Sequence, residues 1–362
     1  MATTTPHYAV LDGLRGTAAI AIVMFHFSEF AYPDYAANPI GHGFLAVDFF
    51  FCLSGFVIGH AYDRRLSTMT VRQFLKARLI RLHPLVLLGA LLGLAAFLLD
   101  PWSTSVAKAG AANIALACLA AVLMVPAPIL PDRGGGLFPL NPPTWSLFWE
   151  YAINLAYILG LGRLRTGGLA LVALAGAAGL LLVAAQSGSL IGGWGISNIW
   201  DGLPRVIYSF NAGLIVHRLG WRWRGAGFVP LSLVLIAVFA MPYRPGNGFI
   251  EAALIILGFP LIVAFGAGAA EGGGQRRLCL WLGRLSYPLY MTHNAVMFPF
   301  GNWLAKHPLS PMALWSMIAI GTAALCAAAA LAMRLYDEPV RAWLAGRRRA
   351  RGAGAEPAKA AG

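Results

Sequence analysis

The chain is 362 residues long, 59% hydrophobic and only 11% charged, with a formal net charge of +13. A soluble domain is about 45–50% apolar and about 25% charged, so these residues supply too little polar surface for one. They also carry too much Leu, Ala, Phe and Trp for a disordered chain. What remains is an all-α polytopic membrane protein, because lipid offers no partner for an unpaired backbone group. A transmembrane barrel would show short alternating segments, whereas the apolar runs here are long and continuous.

Runs approaching the roughly 20 apolar residues of a membrane helix lie near 11–30, 44–61, 83–99, 111–126, 145–162, 169–186, 203–217, 228–241, 249–268, 285–304 and 311–335. Most Lys and Arg residues fall in five short clusters between these runs. They lie at Arg64 to Arg81, at Arg163 and Arg165, at Arg218 to Arg224, at Arg276 to Arg284 and from Arg341 to Lys359. Such clusters mark cytoplasmic loops. Eleven crossings would put two of the clusters on opposite sides, so the short run 111–126, followed by the Pro-rich stretch Pro126 to Pro143, is read as not crossing. That leaves about ten spans with both termini cytoplasmic. The spans belong to one membrane-embedded domain over 1–346, with a basic tail over 347–362 expected to be disordered at the cytoplasmic surface. The N-terminus lacks the pattern of a cleavable signal peptide, so the first span is expected to direct its own insertion. No basic stretch is interleaved with aromatics in the manner of a base-stacking groove, which argues against a nucleic-acid partner. Cys52, Cys118, Cys279 and Cys326 show no CxxC spacing and read as buried free thiols.

The first span, LDGLRGTAAIAIVMFHFSEF, carries Asp12, Arg15 and His26. At 100° per residue Arg15 and His26 share a face three turns apart, about 16–17 Å along the axis, and Asp12 falls within about 60° of the same stripe. Each alone fits a snorkelling side chain or a satisfied interhelical bond. Three ionisable groups on one intramembrane stripe favour function. In the second span Asp48 enters from the outer side at about the depth of His26, where a carboxylate either orients the imidazole of a general base or caps the helix. In VRQFLKARLIRLHPL, Arg78 and Arg81 stand three residues apart on one helix face. They suit either a multiply phosphorylated ligand or an ordinary positive-inside anchor. Glu150 lies in an aromatic-rich helix start, and Tyr287, Tyr290 and His293 lie in LGRLSYPLYMTHNAV. Asp337 and Glu338 close the last span, with Arg341 as the expected partner. Ser54, Ser146 and Ser286 lie outside any GxSxG turn, so no acyl-enzyme is expected from them. No residue cluster has metal-ligand spacing.

These stretches together resemble the membrane-bound acyltransferase family 3. The likeness rests on Arg15 and His26 as an R-x10-H motif, VDFFFCLSGF around Asp48 and Ser54, and Arg78 and Arg81 as R-x-x-R. WSLFWE ending at Glu150 and LSYPLYMTH ending at His293 complete it, in family order from Leu11 to His293. The resemblance implies a stand-alone O-acyltransferase of a bacterial inner membrane, without a bound cofactor. Acyl-CoA, expected as acetyl-CoA, is the donor substrate, and a hydroxyl of a surface glycan or exopolysaccharide is the acceptor. A macrolide or other small molecule is the alternative acceptor. In this scheme Arg78 and Arg81 hold the donor phosphates, and Arg15 binds phosphate or stabilises an oxyanion. His26 deprotonates the acceptor or transiently takes the acyl group, and Asp48 holds its ring. Glu150, His293, Tyr290 and Asp12 are second-rank candidates for positioning the acceptor or handling protons. A proton-coupled secondary transporter is the rival class, since intramembrane His, Asp and Glu also build proton relays. The sequence lacks the repeats and paired broken helices that mark transporters.

Overall fold

A computed structural model of the protein describes residues 7–270 and 272–353, with side chains described as far as residue 346. Among the described residues the regular structure is helical, apart from one isolated bridge between Gly136 and Gly195. In chain order the helices are α1 (Ala9–Ala31), α2 (Ala46–Tyr62), α3 (Val71–Leu99), α4 (Ser105–Ala109) and α5 (Ala111–Leu123). There follow α6 (Thr144–Leu159), α7 (Thr166–Ser187), α8 (Gly202–Arg218), α9 (Phe228–Phe239), α10 (Gly248–Ala253) and α11 (Phe259–Gly268). The last four are α12 (Gly273–Thr292), α13 (Met297–Leu304), α14 (Pro311–Ala332) and α15 (Glu338–Ala353). A π-turn over Leu254–Gly258 joins α10 to α11 and another over Met333–Asp337 joins α14 to α15, so each pair runs as one continuous rod.

Six rods are long and apolar enough to cross a membrane: Ala9–Ala31, Gly43–Arg65, Val71–Leu99, Thr166–Ser187, Gly248–Gly268 and Pro311–Gly346. The expected span near 111–126 is α5, 13 residues ended by Met124 in the left-handed region at φ 55°. At about 1.5 Å per residue it reaches only about 20 Å, short of the roughly 30 Å hydrocarbon core. Two expected boundaries shift. The span expected at 285–304 starts twelve residues earlier, at Gly273, and stops at Thr292, where a 3-10 turn over His293–Val296 leads into α13. The early start is amphipathic: Cys279 and Leu282 are buried while Arg276, Arg277 and Arg284 stay exposed, so the basic cluster rides on the helix and not in a loop before it. At the C-terminus α15 continues to Ala353, so helix occupies part of the segment expected to be a disordered tail. Residues 354–362 lie outside the described residues.

α1 sits in the middle of the bundle and lies along α12; α2 lies along α8, which is backed by α7. Small residues let these pairs touch backbone to backbone, the usual device where lipid gives no hydrophobic drive between helices. A Cβ on Gly55 of α2 would overlap the Phe210 carbonyl of α8, and one on Gly213 would overlap the Cys52 carbonyl of α2. The α2–α8 pair is further locked by a wholly buried ion pair, Asp48 with Arg205. The start of α3 is fixed by a capping box in which Thr70 and Gln73 serve each other's backbone N–H groups. Pro84 lies within the helix, and the carbonyls around it are used across the bundle. Tyr287 donates to the Leu82 carbonyl at 2.6 Å and Tyr336 to that of Pro84 at 3.1 Å. These bonds draw α12 and the α14–α15 rod against the arginine-bearing end of α3.

Candidate active site

Two cavities lie inside the bundle. The first, about 200 Å³, has Arg15 of α1 and Arg78 and Arg81 of α3 in its wall, opposite Glu150 of α6. Arg15 is tied down by three bonds: Nε donates to Ser286 at 2.9 Å, and Nη2 donates to Asp12 at 2.9 Å and to the Gly283 carbonyl at 2.8 Å. Asp12 also meets His7 at 3.2 Å, so its part is to anchor Arg15 at the mouth of the helix stripe. Arg78 donates to Glu150 Oε1 at 3.1 Å, and that oxygen also accepts from Ser54 at 2.5 Å and Asn154 at 3.2 Å. The Arg78 Nε is buried without a partner. Arg81 lies within the electrostatic reach of Arg15, Arg78 and Arg341, with Asp337 as the opposing charge. Of these, Arg15, Arg78 and Arg81 line the cavity, and three guanidinium groups in one wall suit a polyanion. Glu150, a second-rank candidate for handling the acceptor, therefore stands with the arginine pair in the first cavity and not in the one that holds His26.

The second cavity, about 280 Å³, contains His26 and Glu29 near the other end of α1, and its wall includes Trp145 and Trp194. His26 Nδ1 lies 2.5 Å from Glu29 Oε2, and the other oxygen of Glu29 accepts from Tyr35 at 2.5 Å. With Nδ1–H donating to Glu29, the lone pair is placed on Nε2, the arrangement a general base requires. The His293 ring stacks on that of His26 with centroids 5.3 Å apart and 19° between planes. His293 Nδ1 donates to the backbone carbonyls of Tyr290 at 2.8 Å and Leu289 at 3.1 Å. Val47 and Tyr290 line both cavities, so the two spaces abut on these side chains. The Tyr290 hydroxyl is 2.7 Å from that of Ser146.

Asp48 does not hold the His26 ring. Both its oxygens are taken by Arg205, at 3.0 Å from Nε and 2.6 Å from Nη2, and both side chains are fully buried. Arg205 also donates to the Gly192 and Phe44 carbonyls. With every oxygen engaged and a full charge facing it, Asp48 is a joint between α2 and α8. The carboxylate that does orient His26 is Glu29, one turn further along α1; the i,i+3 spacing in HFSE carried that signal, and sequence reasoning passed over it. Arg205 and Arg133, which also stands in the second cavity, were missed as well. The hydroxyls of Ser54, Ser146 and Ser286 bond to a carboxylate, a phenol and a backbone carbonyl, and among the described residues no imidazole is hydrogen-bonded to them as base. Asp337 pairs with Arg341 at 2.6 Å, as expected. Among the described residues no group of three His, Cys, Asp or Glu is placed to hold a metal ion.

A helical bundle with several membrane-length rods carries two internal cavities, one walled by arginines and the other by a carboxylate-backed imidazole, an arrangement suited to group transfer within a membrane. The family model of an acyltransferase domain matches residues 8–333, and the chain belongs to this acyltransferase 3 family. It is 26% identical over 346 residues to "Acyltransferase MdmB" of Streptomyces mycarofaciens, covering 87% of this chain and 85% of that protein. It is 37% identical over 188 residues to "Protein 2 in picA locus" of Rhizobium radiobacter, covering 49% of this chain and 95% of that protein. No solved structure matches the chain.

Proposed function

We propose that this acyltransferase moves an acetyl group from acetyl-CoA to a hydroxyl of a surface or exopolysaccharide sugar, within the inner membrane of a bacterium. The observation that carries the reading is the pair of cavities abutting on Val47 and Tyr290, one lined by arginines and the other by a base. The donor's phosphates sit against Arg78 and Arg81, and its pantetheine arm runs along the α1 stripe past Arg15 toward Tyr290. Arg15 and His26 are separated by about 16–17 Å of helix, of the order of that arm extended.

His26 Nε2 takes the proton of the acceptor hydroxyl while the oxygen attacks the thioester carbonyl. The C–O bond forms, the C–S bond breaks, and CoA leaves as the thiolate, which takes up a proton. Glu29 accepts from His26 Nδ1 and stabilises the imidazolium that forms, with Tyr35 fixing the second carboxylate oxygen. Arg15 lies about 16–17 Å of helix from His26, where the carbonyl is attacked, which favours a role with the donor phosphates over oxyanion stabilisation.

Four shorter elements, α6, α8, α9 and α12 with α13, add to the six long rods to make ten crossings. All five basic clusters then fall on one side, with both termini; α9, at 12 residues, is shorter than α5, so charge parity and not length sets α5 aside as peripheral. On that count the arginine cavity faces the cytoplasm, where acetyl-CoA is made, and the His26 cavity faces outward.

The test separates the two ends. In purified protein, Arg78→Ala with Arg81→Ala should weaken CoA binding at least tenfold. His26→Ala should leave CoA binding intact and lower acetyl transfer by about 10²–10⁴-fold, the range of general acid–base catalysis. A well-inserted His26→Ala protein that acetylates at the wild-type rate overturns the mechanism.

A further inference from the structure

The second cavity contains a cation that the mechanism above does not use. Arg133 stands in its wall together with His26, on the segment between α5 and α6 that is pinned to the α7–α8 loop. The Leu137 N–H donates to the Trp194 carbonyl at 2.9 Å and the Ile196 N–H to that of Gly135 at 3.1 Å. The guanidinium is held by faces, not by bonds: its Cζ lies 3.7 Å from the centroid of Phe298 and 5.0 Å from that of Phe97. Its Nε is buried and has no hydrogen-bond partner. Two carboxylates reach it electrostatically, Asp100 and Asp132, and both are engaged elsewhere. Asp132 accepts from Lys108 and Ser105, each at 2.8 Å, and these bonds, Lys108 first, hold its carboxyl below the usual range. Asp100 accepts from Asn302 at 2.7 Å and from the Trp102 N–H at 2.9 Å.

A guanidinium clamped between two rings has already given up its rotational freedom, and its planar fork matches a carboxylate or phosphate. Left without an anion in a partly buried place, such a group is a standing loss, which an incoming anion removes. We infer that the acceptor is acidic: Arg133 binds a carboxylate or phosphate on the acceptor and so presents a hydroxyl of the same molecule to His26. This deepens the acetyl-transfer reading and rests on it. The anion has two sources, a uronic acid in the glycan or the phosphate of a sugar phosphate, and both offer the same oxygens to Arg133.

Purified protein in detergent free of anionic lipid is given labelled acetyl-CoA and one of three acceptors: methyl glucoside, methyl glucuronoside or glucose 1-phosphate. Transfer to a charged acceptor should exceed transfer to the neutral glucoside at least tenfold in kcat/KM, mostly through KM. In Arg133→Gln that preference should fall to within about twofold, and Arg133→Lys should restore part of it. The better of the two charged acceptors tells a uronic carboxylate from a phosphate. Equal transfer to all three, or transfer to none by a protein that still binds CoA, overturns the acidic acceptor. Loss of CoA binding itself counts instead against the acetyl-transfer reading, so the two failures are distinguishable.

Discussion

Glu29 and Asp48 are both carboxylates near the outer end of the bundle, and their surroundings give them different work. Glu29 is partly exposed to a cavity and accepts from a group that must change its charge during reaction. Glu29→Gln leaves an amide that supports the imidazole but not the imidazolium. It should lower kcat about 10–10²-fold with CoA affinity unchanged, measured by steady-state transfer and equilibrium dialysis. Asp48 faces a permanent cation at 0% exposure. Asp48→Asn strands that charge in a dry interior, a loss of about 3–5 kcal/mol. A clear fall in the melting temperature of the detergent-solubilised protein is expected, while any folded fraction keeps its KM for the donor. A variant with normal stability and a selective loss of kcat would return Asp48 to the chemistry. The difference between the two residues was only half legible in the sequence. Position along a helix is readable from the 3.6 period, so Arg15, His26 and the Arg78/Arg81 face were found. A partner 157 residues away, as Arg205 is from Asp48, leaves no local trace.

At the scale of elements, the bundle is organised by which helices can approach closely. Gly55 and Gly213 each face a carbonyl of the opposite helix, so α2 and α8 cross with no side chain between them. Gly55→Leu should push the pair apart and loosen the Asp48–Arg205 bond beside it. The expected outcome is a lower yield of inserted protein and a reduced melting temperature, with Gly55→Ala intermediate between wild type and Leu. No change in either measure for Gly55→Leu would mean the contact is not needed. The existence of these helices was plain from the apolar runs, but their ends were not. α12 extends back past the expected start because Cys279 and Leu282 are buried beneath exposed arginines, which an average over the window cannot see, while its first residues, Gly273 to Leu278, are exposed. The break at His293, which places that ring on His26, likewise has no Gly or Pro at the break itself to announce it.

For the molecule as a whole, sidedness is the property on which function turns. Reporter fusions at the two termini should both report the cytoplasm. A reporter in the segment between Pro126 and Pro143 should report the outside, placing Arg133 and His26 on the far face. Opposite locations for the two termini would remove one crossing and with it the separation of donor from acceptor. That the chain is helical, with several rods long enough to cross a membrane, was readable from composition alone. That the same fold holds two cavities and not one was not, since no single stretch of chain contributes the whole wall.

Tyr290 and Val47 stand where those cavities touch, and Tyr290 packs edge-on against Phe50 with its hydroxyl against Ser146. An enzyme that reached a substrate on each face through an open pore would drain the ion gradient that energises the cell. Under the proposed transfer, the phenol ring and isopropyl group standing at the meeting point would serve as a stopper. A thioester reaching from the first cavity into the second would have to displace these two side chains.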